Sequence, residues 1–359
     1  MNTRFPGIIP SPYLPSRRQS DSVELIWEGK GERAKGGGIN LRGRVKRPGA
    51  VKRKDVAVER RRIRLNSVVC GRLEEMLTRI EPKSVDFVYL DPPFMTQKDF
   101  AFNPASHRRH RLRLVGGDGS DENMVEEEKT SAETTPTGYS DRWCRTAYLD
   151  FLDTAFRLLK PTLKETGSIA VHTDHRASHW VRCLLDEHFS PDSFINELIW
   201  KYGLGNARST RHFLRKHDNI AVYAASSMKK KKYYFKMIRG KVTKAQKAKY
   251  CHEDEGGKYM LSYGKKYYLK GGKPLESVLE VPALSATSSE RTGYPTQKPK
   301  ELLRILIEAL CPPGGCVLDP CCGSGTTLVA AAESGRAWMG IDVNADAVRT
   351  AESQLRMGG

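Results

Sequence analysis

An α/β fold, with a mostly parallel sheet covered by helices on both faces, is predicted by three features of this sequence. Short and almost wholly apolar runs, Val85-Asp86-Phe87-Val88-Tyr89-Leu90 being the clearest, read as strands buried on both sides. Segments with helical spacing alternate with such strands, as Leu73, Met76, Leu77 and Ile80 do. Near the carboxyl end a strand enters a glycine loop that opens directly into a helix, the join of a βαβ unit.

Residues 1–62 are expected to form a disordered basic tail. Gly36-Gly37-Gly38, scattered prolines and the run Arg42 to Lys54 leave little to bury apart from Val23 to Trp27. The ordered domain is placed at 63–359 and starts with the strand Ser67-Val68-Val69-Cys70. The strand Val85 to Leu90 must stop at Asp91-Pro92-Pro93-Phe94, because no strand continues through two prolines. Residues 103–138 read as a disordered insertion: His107 to Arg113 is basic, and Asp118 to Glu128 holds six acidic residues. Trp143 to Leu159 returns to helical periodicity, Ser168 to His172 is a buried strand, and Trp180, Val181, Leu184 and Leu185 mark another helix. Glu197 to Tyr202 and Asn219 to Ala225 have strand composition and are expected to pair as a hairpin. Glu301 to Leu310 is an amphipathic helix stopped by Pro312-Pro313-Gly314-Gly315. A strand from Cys316, the helix Thr326 to Glu333 and the strand Ala337 to Ile341 complete the pattern.

The 359 residues, 39% of them hydrophobic, suffice for a sizeable core and exclude wholesale disorder. No apolar run approaches the ~18 residues of a membrane span. The eight cysteines, scattered and without a secretion signal, read as reduced thiols of an intracellular protein. The net charge of +18 is concentrated: residues 1–64 carry 17 basic and 6 acidic side chains, and residues 229–273 carry 15 and 3. A slightly acidic domain bearing two basic segments points to a polyanion, and nucleic acid fits best. In the basic region 203–290 aromatics alternate with lysines, so Lys231, Lys232, Tyr233 and Tyr234 are candidate contacts to phosphates and bases. Arg208, Arg211, Arg215 and Lys216, ahead of the second hairpin strand, are candidates to grip phosphate beside a flipped base.

Two constellations carry chemistry. Asp319-Pro320-Cys321-Cys322-Gly323-Ser324-Gly325-Thr326 puts small residues where a strand ends and a helix begins, so a ligand can approach the backbone closely. Asp342, ending the next strand, is placed to accept hydrogen bonds from ribose hydroxyls. A dinucleotide fingerprint needs glycine at Leu328 and a phosphate loop needs lysine; the loop has neither, and Asp319 would repel a pyrophosphate. S-adenosylmethionine, with an ammonium, a ribose and no phosphate, suits it best. In Asp91-Pro92-Pro93-Phe94 the carboxylate and the Pro92 carbonyl can accept the two N–H bonds of an exocyclic amino group. That favours a pyramidal nitrogen able to attack a sulfonium methyl, while Phe94 can stack on an extruded base. His172-x-Asp174-His175 with His179 mimics a metal cluster but follows a buried strand, and no metal is expected there. Cys321 and Cys322 sit inside the glycine loop, where small-residue packing explains them better than a nucleophile.

These motifs resemble the beta group of amino-DNA methyltransferases, the adenine-N6 and cytosine-N4 enzymes of restriction–modification systems and of solitary methylases. The order matches over about residues 64–352: Asp91 to Phe94, the basic region, Tyr294-Pro295-Thr296-Gln297-Lys298-Pro299, then Asp319 to Gly325. The resemblance implies a circularly permuted Rossmann-like fold with a seven-stranded, mostly parallel sheet and a reversed hairpin. It implies S-adenosyl-L-methionine as cofactor and double-stranded DNA, with its target base flipped, as partner. Catalytic roles pass by resemblance to Asp91, Pro92, Pro93 and Phe94. Cofactor contacts pass to Asp319, Pro320, Cys321, Gly323, Ser324, Gly325, Thr326 and Asp342, helped by Thr296, Gln297, Lys298 and Pro299. Target recognition is placed in 203–290, and the aspartate of the acidic motif tilts the target to adenine N6 over cytosine N4. In two places the chain departs from the family. Gly71-Arg72 stands where the family has Gly-Asp, which removes one cofactor contact, and Phe94 replaces the commoner tyrosine. The alternatives are a related enzyme acting on RNA or a protein amide, and a non-catalytic nucleic-acid-binding relic. The chain is expected to be a monomer or homodimer, cytoplasmic and nucleoid-associated in a bacterium or nuclear in a eukaryote.

Overall fold

The apolar runs assemble into one central sheet. The computed structural model describes residues 62–101, 138–203, 209–227, 229, 232–285 and 287–357. The tail expected over 1–62, except Arg62, and the insertion expected over 103–138, except Gly138, lie outside the described residues. In chain order the strands are β1 (Ser67–Cys70), β2 (Val85–Leu90), β3 (Asp99–Ala101), β4 (Gly138–Ser140), β5 (Leu163–Thr173), β6 (Phe194–Lys201) and β7 (His217–Ala224). They continue with β8 (His252–Asp254), β9 (Gly257–Ser262), β10 (Lys265–Tyr268), β11 (Val278–Glu280), β12 (Cys316–Asp319) and β13 (Ala337–Asp342). The helices are α1 (Leu73–Met76), α2 (Arg145–Leu159), α3 (Ser178–Phe189), α4 (Lys244–Lys249), α5 (Lys300–Leu310), α6 (Thr326–Glu333) and α7 (Ala345–Met357).

The sheet order is β1-β13-β12-β2-β5-β7-β6-β11. Neighbours are parallel except at β7, which runs antiparallel to both β5 and β6, so the expected reversed hairpin is β6–β7. The seven expected strands are joined by a three-residue edge strand, β11, parallel to β6. Side chains alternate across the sheet. In β2, Val88 and Leu90 enter the core that contains α2 and α3, while Phe87 and Tyr89 enter the core that contains α5 and part of α6. Burial on both faces is why this strand reads as a continuous apolar run.

From β12 the chain crosses through α6 to β13 on one side of the sheet; from β2 it proceeds to β5 on the other. The carboxyl ends of β12 and β2 are therefore a topological switch point, where diverging connections leave a crevice. Beyond the sheet, β3 and β4 pair antiparallel across the ends of the insertion, so Gly138 belongs to a strand rather than to a disordered segment. The basic region holds the capped helix α4 and a three-stranded antiparallel sheet, β8–β10. No helix among the described residues is long and apolar enough to cross a membrane, and all eight cysteines are free.

Gly325 opens α6 with a φ of 82°, and a Cβ placed there would lie 2.5 Å from the Cβ of Ala351 in α7. Gly325→Ala combines left-handed strain with overpacking. It is expected to cost at least about 2 kcal/mol, read as a lower midpoint in chemical denaturation.

Candidate active site

The crevice at the switch point is a cavity of about 330 Å³. Three carboxylates from adjacent strand ends line it: Asp91 directly after β2, Asp319 closing β12 and Asp342 closing β13. Asp342 is committed to the backbone of the glycine loop and the turn beyond it. Its Oδ2 accepts from Gly323 N–H at 2.8 Å and its Oδ1 from Asn344 N–H at 2.8 Å. Burial raises its carboxyl above the usual range, with those bonds opposing. Asp319 Oδ1 accepts from Cys321 N–H at 3.1 Å. Burial pushes Asp319 up to about 7; the Thr327 hydroxyl and Cys321 N–H oppose the shift, and the charges of Asp91 and Asp342 add to it. Gly323 has a φ of 50°, and a Cβ there would meet the Tyr294 ring at 3.1 Å. The loop is small because the Tyr294 ring packs against its backbone.

The acidic turn is held from the other side of the cavity. Lys298 Nζ lies 2.5 Å from Asp91 Oδ2 and 4.8 Å from the centre of the Phe94 ring. Asp91 Oδ1 is buried with no hydrogen-bond partner among the described residues. Beneath the turn the Tyr89 hydroxyl lies 2.7 Å from His172 Nδ1, and His172 Nε2 lies 3.1 Å from Asp218 Oδ2. The Tyr202 hydroxyl donates to Asp218 Oδ1 at 3.1 Å. Burial alone would raise the Asp218 carboxyl. His172, Lys298 and Tyr202 outweigh it and hold the group below its usual value. The His172 ring packs 5.8 Å from Phe94 and edge-on against Trp200. The metal-like cluster thus dissolves into separate roles: His172 supports the turn, His175 lies beside Asp174, and His179 packs on Trp180. Among the described residues no group of candidate metal ligands occurs.

Past Phe94 the backbone is strained, with φ of 55° at Met95 and 60° at Gln97. Asp141, buried, restrains it by accepting from Met95 N–H (3.0 Å), Thr96 N–H (2.9 Å) and the Thr96 hydroxyl (2.6 Å). Phe100, Tyr139 and Tyr294 stack in a column along the wall, and the Tyr139 hydroxyl lies 3.1 Å from Thr296 Oγ1.

Of the residues singled out in the sequence, Asp91, Pro92, Pro93, Phe94, Thr296, Gln297, Lys298, Asp319, Pro320, Cys321, Gly323, Ser324, Thr326 and Asp342 all line this cavity. Gly325 and Pro299 stand behind it, the first against α7 and the second capping α5. Gln297 also braces its own loop, accepting from Thr292 and donating to the Glu290 carbonyl. Burial raises the Cys321 and Cys322 thiols well above their usual range, which suits packing and not nucleophilic attack. Arg72 pairs with Glu74 at the rim. Sequence reasoning missed Tyr139, Asp141, Tyr294 and the pairing of Lys298 with Asp91. Only the Tyr-Pro-Thr-Gln-Lys run pointed at two of those residues.

The predicted nucleic-acid contacts divide. Arg208 and Lys231 lie outside the described residues. Arg211, Arg215 and Lys216 are in the β6–β7 connection, which leaves β6 at the same end of the sheet as the cavity. Lys232, Tyr233 and Tyr234 are at the opposite end. Lys232 Nζ pairs with Glu165 at 3.1 Å and Tyr234 N–H donates to the Thr166 carbonyl, near the start of β5. At 3.3 Å per residue they stand about 20 Å from the acidic turn, too far to touch a base in the cavity.

The profile of the N6/N4 DNA methylase family matches residues 85–353. The Type II methyltransferase M.EcaI of Enterobacter cloacae is 26% identical over 348 residues, spanning 82% of this chain and 68% of its own. The DNA adenine methyltransferase YhdJ of Escherichia coli is 22% identical, over 79% of this chain and 80% of its own. Among solved structures, the PvuII cytosine-N4-specific DNA methyltransferase aligns with a TM-score of 0.49 at 13% identity, over 80% of this chain and 84% of its own.

Asp141→Ala would leave two backbone N–H groups and a hydroxyl without their acceptor. The expected cost is ~1–3 kcal/mol, with faster hydrogen exchange at the Met95 and Thr96 amides; unchanged exchange there would contradict the restraint.

Proposed function

We propose that this chain, which belongs to the N6/N4 DNA methylase family, moves a methyl group from S-adenosylmethionine to an exocyclic amino nitrogen of a DNA base, with adenine N6 favoured over cytosine N4. The observation that carries the reading is Asp91 Oδ1, a buried acceptor on the cavity wall with no donor among the described residues. A buried carboxylate oxygen without a partner is costly unless a ligand supplies the hydrogen bond, and an amino N–H is such a donor.

The donor set of the cavity fits S-adenosylmethionine. Asp319 suits its ammonium and Asp342 its ribose hydroxyls, and both line the cavity beside the small residues of the glycine loop. Carboxylates on adjacent strand ends disfavour phosphate. When bound, the cofactor supplies an electrophilic sulfonium methyl. Asp91 Oδ1 accepts one N–H of the target amino group and the Pro92 carbonyl accepts the other. The nitrogen lone pair is thereby drawn out of conjugation with the ring. Phe94 stacks on the base and excludes water from its face. A base inside a duplex cannot reach a crevice at the strand ends, so the target is extruded. Arg211, Arg215 and Lys216 hold phosphates beside the opening. Between them Phe213, 98% exposed, is placed to wedge against the stack. The basic tail adds sequence-independent phosphate contacts.

Nucleoside mass spectrometry of DNA incubated with the chain and the cofactor tests this reading. N6-methyladenine is expected; N4-methylcytosine alone would reverse the base preference, and no methylated nucleoside would contradict the reading. Asp91→Ala is expected to abolish transfer while cofactor affinity stays within a few-fold.

Affinity for the cofactor should also depend on pH. Burial pushes the Asp319 carboxyl up to about 7, and a bound cation favours its ionised form. Below that value binding must displace a proton. Affinity is therefore expected to fall by up to about tenfold per unit of pH below 7. Calorimetry in buffers of different ionisation heats measures the released proton. A pH-independent affinity in the wild type would contradict the role of Asp319.

A further inference from the structure

We propose that Lys298 is a positioning residue for methyl transfer, acting through Asp91 and Phe94 and not through the cofactor. The inference rests on the methyl-transfer reading and adds a role for the lysine of the Gln-Lys-Pro segment. Lys298 directly precedes Pro299, the cap of α5, and is 8% exposed. Its ammonium nevertheless reaches a turn 207 residues away in sequence, 2.5 Å from Asp91 Oδ2.

Three consequences follow from that contact. A carboxylate has two equivalent oxygens and rotates readily unless one is engaged. With Oδ2 engaged by Lys298, Oδ1 is the oxygen left without a partner. The cavity also crowds Asp91 with Asp319 and Asp342, both of whose carboxyls are raised above their usual values. Lys298 is the positive charge that offsets this crowding at Asp91. Finally, the ammonium lies 4.8 Å from the centre of the Phe94 ring, within cation–π range. One buried charge thus sets both the acceptor and the stacking platform for the base.

Lys298→Met keeps the stem and removes the charge; Lys298→Gln serves as a second variant should the first fold poorly. Each is compared with the wild type by single-turnover methyl transfer at saturating cofactor and DNA, by cofactor and DNA titrations, and by thermal melting. The expected result is a drop of about 100-fold in the single-turnover rate, with both dissociation constants within threefold of wild type. Lys298→Arg, which restores a cation, is expected to recover at least part of the rate. A cofactor affinity weakened more than tenfold with an undiminished rate at saturation would overturn the proposal and return Lys298 to the cofactor. A variant as fast as the wild type would overturn it outright. A wild-type chain that transfers no methyl group to DNA would defeat the methyl-transfer reading itself, an outcome distinct from either.

Discussion

Three carboxylates, Asp91, Asp319 and Asp342, share one cavity of about 330 Å³, and gathering them where water is partly excluded is the constraint around which the site is arranged. Each is accommodated differently. Asp342 spreads its charge over two backbone N–H groups and in doing so fixes the glycine loop. Asp91 is paired with a buried ammonium. Asp319 accepts from a hydroxyl and an N–H, and burial still pushes its carboxyl up to about 7. The crowding leaves two unmet needs, a cation near Asp319 and an N–H donor at Asp91 Oδ1. On the proposed reading, a sulfonium amino acid and an amino group meet them together.

The fold supplies the crowding. Parallel strands point their carboxyl ends the same way, and the divergence of the connections at β12 and β2 opens the crevice there. Two prolines end β2 at the point where Asp91 must face the cavity, and the left-handed Gly323 and Gly325 let β12 turn into α6 without side chains in the way. The walls come from distant segments. The Phe100, Tyr139 and Tyr294 column joins the strands β3 and β4 to the segment before α5, and Asp141 ties the end of β4 to the backbone after the acidic turn.

Much of this was legible in the sequence, for physical reasons. Strands buried on both faces produce apolar runs, so β2 could be read to the residue and the β6–β7 hairpin to within a few. The acidic turn and the glycine loop each lie within one short segment, and local chemistry exposes them. Helix α7 was not read because its buried stripe consists only of Ala347, Val348 and Ala351. Strands β8–β10 are short and largely exposed, and so carry little apolar pattern. Composition also has no direction. The lysines and tyrosines at 232–234 share the charge of a nucleic-acid surface, but β7 carries the chain to the far end of the sheet before they occur. Pairings such as Lys298 with Asp91 join residues that only the folded topology brings together.

The most direct test is a structure of the chain with a duplex carrying an extruded target base and a non-reactive analogue of the cofactor. The account predicts Asp91 Oδ1 within about 3 Å of the exocyclic amino nitrogen. Lys298 should remain on Oδ2, and Phe94 should be stacked on the base. A base seated elsewhere, or Lys298 drawn away from Asp91 onto the carboxylate of the analogue, would contradict it.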